Sequence, residues 1–358
     1  MTTAARNKPA RRRSKGPARP DGIVALDLAL QGGGAHGAFT WGVLDRLLEE
    51  PGLRFDGISG TSAGAMNAAV MAHGIAVGGH TGGREALATF WRRVSDAART
   101  SPIQRGPLEV LFGAWTLDYS PAFVAMELTS QVVSPYVLNP GGRNPLADIL
   151  EELVDFAHLP DSPIKLFVTA TNVRTGRGRV FRNAQINAQV LLASACLPTM
   201  FHAVEIDGDP YWDGGYSGNP SMYPLMRECN ASDTILVQIN PIERPGTPRT
   251  AREIQNRLNE ISFNSTLMKE LRAGALLRKA VDPGSGEGAM WANMRIHRIA
   301  SDLMLELGYS SKLLAEWSFF EMLRDDGRRA ADAFLAAHRQ DLGVRSTLDL
   351  DAILDGQV

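Results

Sequence analysis

Cysteine is scarce. The 358-residue chain has two, Cys196 and Cys229, too few for a disulfide framework and without the spacing of a metal site, which suits a reducing compartment. No apolar run reaches the ~18–20 residues that a membrane-spanning helix requires. Internal repeats, a persistent heptad and a three-residue glycine period are all missing, which excludes solenoids, coiled coils and collagen. Hydrophobic residues make up 44% of the chain and charged residues 21%, too apolar for a disordered polymer. A soluble, enzyme-sized globule with room for a sizeable core remains.

Neither sign of charge dominates, since 37 basic and 39 acidic side chains give −2. The balance hides an asymmetry. Arg6, Lys8, Arg11, Arg12, Arg13, Lys15 and Arg19 fall within residues 1–20, which contain no acid, and the rest of the chain is negative by about nine. With almost nothing apolar to bury, residues 1–21 read as a disordered basic arm. Its charge would suit anionic lipid or nucleic acid, but a solvated tail is the plainer reading and no nucleic-acid partner is expected. Three arginines followed by Ile23–Leu30 imitate a secretion signal. Asp27 interrupts that run and glycines end it, so it reads as a first buried strand. The protein is accordingly placed in the cytoplasm, with peripheral contact at the inner face of a membrane open to it.

The chain then alternates. Gln31 to Gly37 is a glycine loop, and Ala38 to Glu50 has helical spacing. Phe55 to Ser59 is a second short strand, Gly60 to Gly64 a turn, and Ala65 to Ala72 a helix of small residues. Two strand–turn–helix units in about fifty residues predict an α/β sheet with parallel pairing. Residues 100–145 read as irregular, with Phe112, Trp115, Tyr119, Phe123 and Tyr136 suited to acyl-chain or interface contact or to ordinary core packing. A helix is expected over Pro145–Phe156, and strands over Lys165–Thr171, Arg179–Phe181, Ala203–Ile206 and Thr234–Ile239. Beyond Pro241 come a helix over Arg252–Ala280, a glycine-rich loop over Pro283–Gly288, a strand over Ile296–Ile299 and helices over Ser311–Arg324 and Arg328–His338. The division is thus an arm (1–21), a catalytic unit (22–241) and a mostly helical extension packed on it (242–358).

Gly60-Thr61-Ser62-Ala63-Gly64, between a strand and a helix, has the form of a nucleophile turn. The flanking glycines let a strained serine stand at the top of the sheet, against a helix N-terminus. A serine that merely caps the helix is the plainer alternative. Gly32-Gly33-Gly34-Ala35-His36-Gly37 leaves backbone N–H groups free to converge on an anion. It fits an oxyanion hole for Ser62. It also satisfies a dinucleotide fingerprint with Asp56 as the ribose acid, although Asp56 precedes the end of its strand rather than standing at it. Asp213-Gly214-Gly215 ends a strand-like segment, and by itself is a common turn.

A serine nucleophile needs a base. Three arrangements stay open: a Ser62–Asp213–His297 triad, a role for His36 beside the glycine loop, and a Ser–Asp dyad in which a partly buried carboxylate takes the proton directly.

These motifs, in this order, resemble the patatin-like phospholipase family. Ala193 to Phe201, with Cys196 in an alanine place, looks like a fourth family signature, and Gln255 to Asn264 looks like the C-terminal extension of a bacterial subgroup. The resemblance implies a three-layer α/β/α sandwich with a mainly parallel central sheet and a helical C-terminal extension. It also implies a serine acyl hydrolase acting on lipid carboxylic esters through an acyl-enzyme. Ser62 would be the nucleophile and Asp213 the general base. Gly32, Gly33, Gly34 and Ala63 would form the oxyanion hole, with Gly37, Gly60, Gly64, Gly214 and Gly215 shaping the turns. No metal or cofactor is expected, and the partner is a lipid or other acyl ester. Gln31 replaces a frequent Asp and His36 a frequent Arg or Lys, which removes a permanent charge from the loop. The readings from other classes are a nucleotide-binding oxidoreductase using Gly32–Gly37 and a catalytically idle membrane-associated scaffold.

Overall fold

A computed structural model describes residues 22–280, 291 and 293–354. The basic arm and the expected loop at Pro283–Gly288 lie outside the described residues. The strands are β1 (Val24–Leu30), β2 (Leu53–Gly60), β3 (Lys165–Asn172), β4 (Gly178–Arg182), β5 (Val204–Ile206), β6 (Asp209–Asp213), β7 (Asp233–Val237) and β8 (Arg295–Ile299). They form one sheet in the order β5-β6-β3-β2-β1-β7-β8, with β4 also on β3. The pairs β3/β2, β2/β1, β1/β7 and β7/β8 are parallel. The pairs of β4 and β6 with β3, and of β5 with β6, are antiparallel.

The sheet is covered on both faces, as parallel sheets require. Alternate residues of one strand point to opposite faces. Leu26, Leu28 and Leu30 of β1 therefore join one apolar cluster, while Ala29 joins the other. The first cluster is covered by α1 (Gly37–Leu47), α2 (Ala63–Ala98), α6 (Pro145–Leu153), α7 (Ala188–Ser194) and α11 (Trp317–His338). The second lies under α8 (Tyr223–Glu228), α9 (Ala251–Ala280) and α12 (Leu350–Leu354). The result is a three-layer α/β/α sandwich with helices added from the C-terminal region. Those later residues also extend the sheet itself, because β8 pairs with β7 along its whole length.

Three elements differ from the sequence reading. Helix α2 does not stop near Ala72; it bends at Gly78 and Gly79, where the helical dihedrals break, and resumes to Ala98. Residues 100–145 contain α3 (Pro107–Leu111), α4 (Pro121–Ser130) and α5 (Pro135–Leu138), each opened by a proline at its first position, where the missing N–H costs nothing. The two C-terminal helices are one continuous α11, because Gly327 is a contact and not a break. A Cβ there would strike the Phe39 carbonyl of α1, so glycine allows the two helices to pack backbone to backbone. The short helix α10 (Leu303–Glu306) leads into the turn Ser310–Leu313.

Candidate active site

The pairing around β3 brings the two distant motifs together. Residues 165–168 of β3 pair with β2, residues 170–172 pair with β6, and the overlapping stretch 167–171 pairs with β4. Since β4 occupies one edge throughout, β2 and β6 lie end to end on the other. Gly60 ends β2 opposite Val168, and Asp213 ends β6 opposite Ala170. Two strands running toward each other along a shared edge thus deliver the serine turn and the aspartate to one point. Ser62 and Asp213 line one cavity, and the Ser62 hydroxyl is close enough to lower the Asp213 carboxyl from where burial alone would put it.

Ser62 is strained, with φ 53° and ψ −124°, as a sharp strand-to-helix turn demands. Its N–H donates to Ser194 Oγ at 2.9 Å, and that hydroxyl donates to the Thr169 carbonyl at 2.7 Å. The Ala193–Phe201 signature therefore has a physical role: Ser194 ties the strained residue to β3. On the preceding residue, Thr61 Oγ1 donates to the Gly218 carbonyl at 2.6 Å. Gly64 is the second residue of α2, directly behind the serine, and Gly37 at the start of α1 packs on Ala63.

Asp213 is 2% exposed. Burial raises its carboxyl to about 7, partly offset by the Gly215 N–H (2.7 Å to Oδ1), the Ser62 hydroxyl and the charge of Lys312. Gly214 and Gly215 form the tight turn that aims this N–H back at the carboxylate.

The glycine loop lies against the serine. A Cβ on Gly32 would come within 2.7 Å of Ser62 Cβ. One expected role is corrected here: the Gly32 N–H is taken by Asn219 Oδ1 at 2.7 Å, so it cannot also serve an oxyanion. The N–H groups of Gly33, Gly34 and Ala63 have no acceptor among the described residues. All three residues line a cavity of about 360 Å³ together with Ser62 and Asp213. Ala63 also begins α2, whose N-terminal dipole favours negative charge.

The cavity is otherwise largely apolar, walled by Phe90, Trp91 and Val94 of α2, Leu146 and Ile149 of α6, and Met200. None of its lining comes from residues 107–138, so the expected acyl-chain role of Phe112 to Tyr136 is not supported. That segment instead exposes Leu111, Phe112, Tyr119, Val132 and Val137, each by more than two thirds.

Two other expectations fall. His297 lies on β8 between Asp233 (3.1 Å) and Thr347 (3.1 Å), so it is engaged away from Ser62. Asp56 lies in the first half of β2 and accepts the N–H groups of Asn230 and Ala231, so it is engaged away from the glycine loop. His36 is buried and uncharged, pushed down to about 3 by burial and by Lys312. Gln31 joins the ends of β1 and β7 to the extension. Its carbonyl oxygen accepts from the Ile239 and Asn240 N–H groups at 2.9 Å, and its amide donates to Asn264 Oδ1 at 3.0 Å. Sequence reasoning missed Asn219, Asn240, Asn259 and Lys312, which carry no local pattern and reach the site only through tertiary folding.

A strained serine between a parallel strand and a helix, facing a buried carboxylate and unpartnered amides, defines a nucleophile-turn hydrolase architecture. The family described as patatin-like phospholipase matches residues 28–226. The chain belongs to that family, whose members are lipid acyl hydrolases. Among curated proteins no match is found. Two solved structures show weaker likeness. VipD from Legionella pneumophila is 15% identical with a TM-score of 0.36, over 88% of this chain and 67% of that one. The ExoU–SpcU complex of the type III secretion system of Pseudomonas aeruginosa is 19% identical with a TM-score of 0.23, over 95% of this chain and 66% of that one. Neither likeness bears on substrate or mechanism. Among the described residues no helix is long and apolar enough to cross a membrane.

Proposed function

We propose that the protein hydrolyses carboxylic esters of long-chain lipids through a Ser62–Asp213 dyad and an acyl-enzyme. The observation that carries this reading is the meeting of Ser62 and the buried Asp213 in an apolar cavity bordered by the unpartnered N–H groups of Gly33, Gly34 and Ala63. Asp213, raised to about 7, is matched to proton transfer near neutral pH. It takes the Ser62 proton as Oγ attacks the ester carbonyl, and the three N–H groups receive the oxyanion. Asp213 then protonates the departing alcohol. Water, deprotonated by Asp213, cleaves the acyl-enzyme, releasing the fatty acid and restoring Ser62. Each amide donor to the oxyanion contributes roughly 3–4 kcal/mol of transition-state stabilisation.

The exposed side chains between Leu108 and Leu138 support peripheral contact with a lipid surface. That segment is tied to Lys312 and Phe201, two residues of the cavity lining, only through their neighbours: Leu117 N–H donates to Ser310 Oγ, and Tyr136 stacks on His202 at 4.0 Å. The test is hydrolysis of a long-chain ester by purified protein. Turnover should disappear in Ser62→Ala and Asp213→Asn alike; turnover that survives Ser62→Ala would sink the reading.

A further inference from the structure

The cavity wall contains a buried ammonium group that, among the described residues, no carboxylate touches. Lys312 stands in the Ser310–Leu313 turn. Its Nζ donates to Oδ1 of Asn240 (2.8 Å) and Oδ1 of Asn259 (2.7 Å), and lies 5.7 Å from the centre of the Phe263 ring. An ammonium group carries three donors. The third has no acceptor among the described residues, and both acceptors in use are neutral amides.

Glu260 and Asp213 attract this cation, but among the described residues neither carboxylate is in contact with it. Glu260 is already paired with two guanidinium groups, Arg244 at 2.6 Å and Arg257 at 3.1 Å. Asp213 accepts the Gly215 N–H at 2.7 Å, and it loses its charge when it takes a proton. His36 adds none: its Nε2–H donates to Ser311 Oγ at 2.8 Å, and the Ser311 hydroxyl passes its own hydrogen to the Gly308 carbonyl at 2.7 Å. The histidine of the glycine loop therefore positions the turn that carries Lys312. Gly34 packs on the Lys312 carbonyl, with no room for a Cβ between them. Asn259, Tyr309, Lys312 and Ser62 line the same cavity. Burial pushes the ammonium down to about 8. A cation kept in an apolar wall without a carboxylate in contact is costly, and an anionic ligand would offset that cost.

We propose that Lys312 is the specificity-determining cation of the cavity, binding the phosphate of an acyl-bearing lipid while its ester lies at Ser62. Phosphate is the anion that common lipid esters carry a few bonds from the acyl oxygen. The assignment rests on the hydrolase reading for its ester, but its anion site can be tested without catalysis.

The test uses the full chain carrying Ser62→Ala, titrated with hexadecyl phosphate and with 1-O-hexadecylglycerol below their micelle concentrations. Neither ligand contains an ester. The phosphate should bind at least tenfold more tightly, and inorganic phosphate should displace it only at concentrations a hundredfold higher. Adding Lys312→Met should remove the preference while leaving affinity for the neutral ether within threefold; Lys312→Arg should retain most of it. Equal binding of the two lipids by the Lys312 protein would overturn the proposal, whether or not Lys312→Met folds. Displacement by inorganic phosphate at equal concentration would also overturn it, marking a free-phosphate site.

With the active chain, Lys312→Met should raise KM for 1-palmitoylglycerol 3-phosphate at least tenfold more than KM for monopalmitoylglycerol, while any effect through Asp213 falls on both esters alike. Equal losses on both esters would count against the proposal and give Lys312 to the dyad. Failure of the unmodified chain to turn over either ester would sink the hydrolase reading alone, and the binding comparison would still decide for or against Lys312.

Discussion

Replacing Asp213 by Asn should make the protein inactive and, at alkaline pH, more stable. Burial lifts this carboxyl from 3.8 to about 7. The folded chain therefore holds the proton more tightly than the unfolded chain does. Below pH 4 both states are protonated and ionisation contributes nothing. Between pH 4 and 7 the unfolded state ionises first, so stability falls as pH rises. Above pH 7 the folded state carries the full cost, about 4 kcal/mol for a displacement of about 3 pH units at roughly 1.4 kcal/mol each. Asparagine cannot ionise, yet its amide oxygen can still accept the Gly215 N–H that Asp213 Oδ1 accepts at 2.7 Å. The attraction of Lys312 is already contained in the value near 7, so the gain is about 4 kcal/mol at pH 9 and close to nothing at pH 4. Denaturant titrations of both proteins across that range read the difference directly. Ester turnover should drop by roughly 10²–10⁴, the usual worth of a general base. A variant that is less stable than the parent at pH 9, or a difference that does not grow between pH 4 and 9, would refute the assignment of a buried, raised carboxyl.

In the unmodified protein, kcat/KM should climb through about pH 7 as Asp213 ionises, then level off; a profile flat from pH 5 to 8 would contradict Asp213 as the base. Ser194→Ala leaves the Ser62 N–H and the Thr169 carbonyl without their partner, which should cost about 1–3 kcal/mol for each group and slow turnover by misplacing the serine; unchanged stability and rate would show that this anchor is dispensable. His297→Ala should lower the unfolding temperature, because Asp233 loses a buried partner, while ester turnover stays within about twofold of the parent. Loss of turnover in a folded His297 variant would revive the triad.

The glycine loop, the serine turn and the Asp-Gly-Gly turn were legible because each is short and its chemistry is local. Turn glycines and a strand-ending serine announce themselves whatever the rest of the chain does. The parallel sheet was legible for the same reason, through short apolar runs such as Ile23–Leu30. The length of α2 was not, since Gly74, Gly78, Gly79, Gly82 and Gly83 resemble a terminator; only tertiary packing of Leu87, Phe90 and Trp91 carries the helix past its bend. Gly327 misled in the same way, as its use is contact with α1. Asn219 was harder still. It removes Gly32 from the oxyanion donors from 187 positions away, and nothing in the local sequence shows it. Lys312 escaped because its surroundings, Ser311 and Leu313, read as an ordinary helix start. The departure at His36 was the only hint that a cation would have to come from elsewhere.

The most direct test of the account is covalent labelling by a long-chain alkyl fluorophosphonate, read by peptide mass spectrometry. The account predicts a single adduct on the peptide that carries Ser62, absent from Ser62→Ala and formed at least a hundredfold more slowly in Asp213→Asn. Equal labelling of parent and Asp213→Asn, an adduct on another serine, or no adduct at all would contradict it.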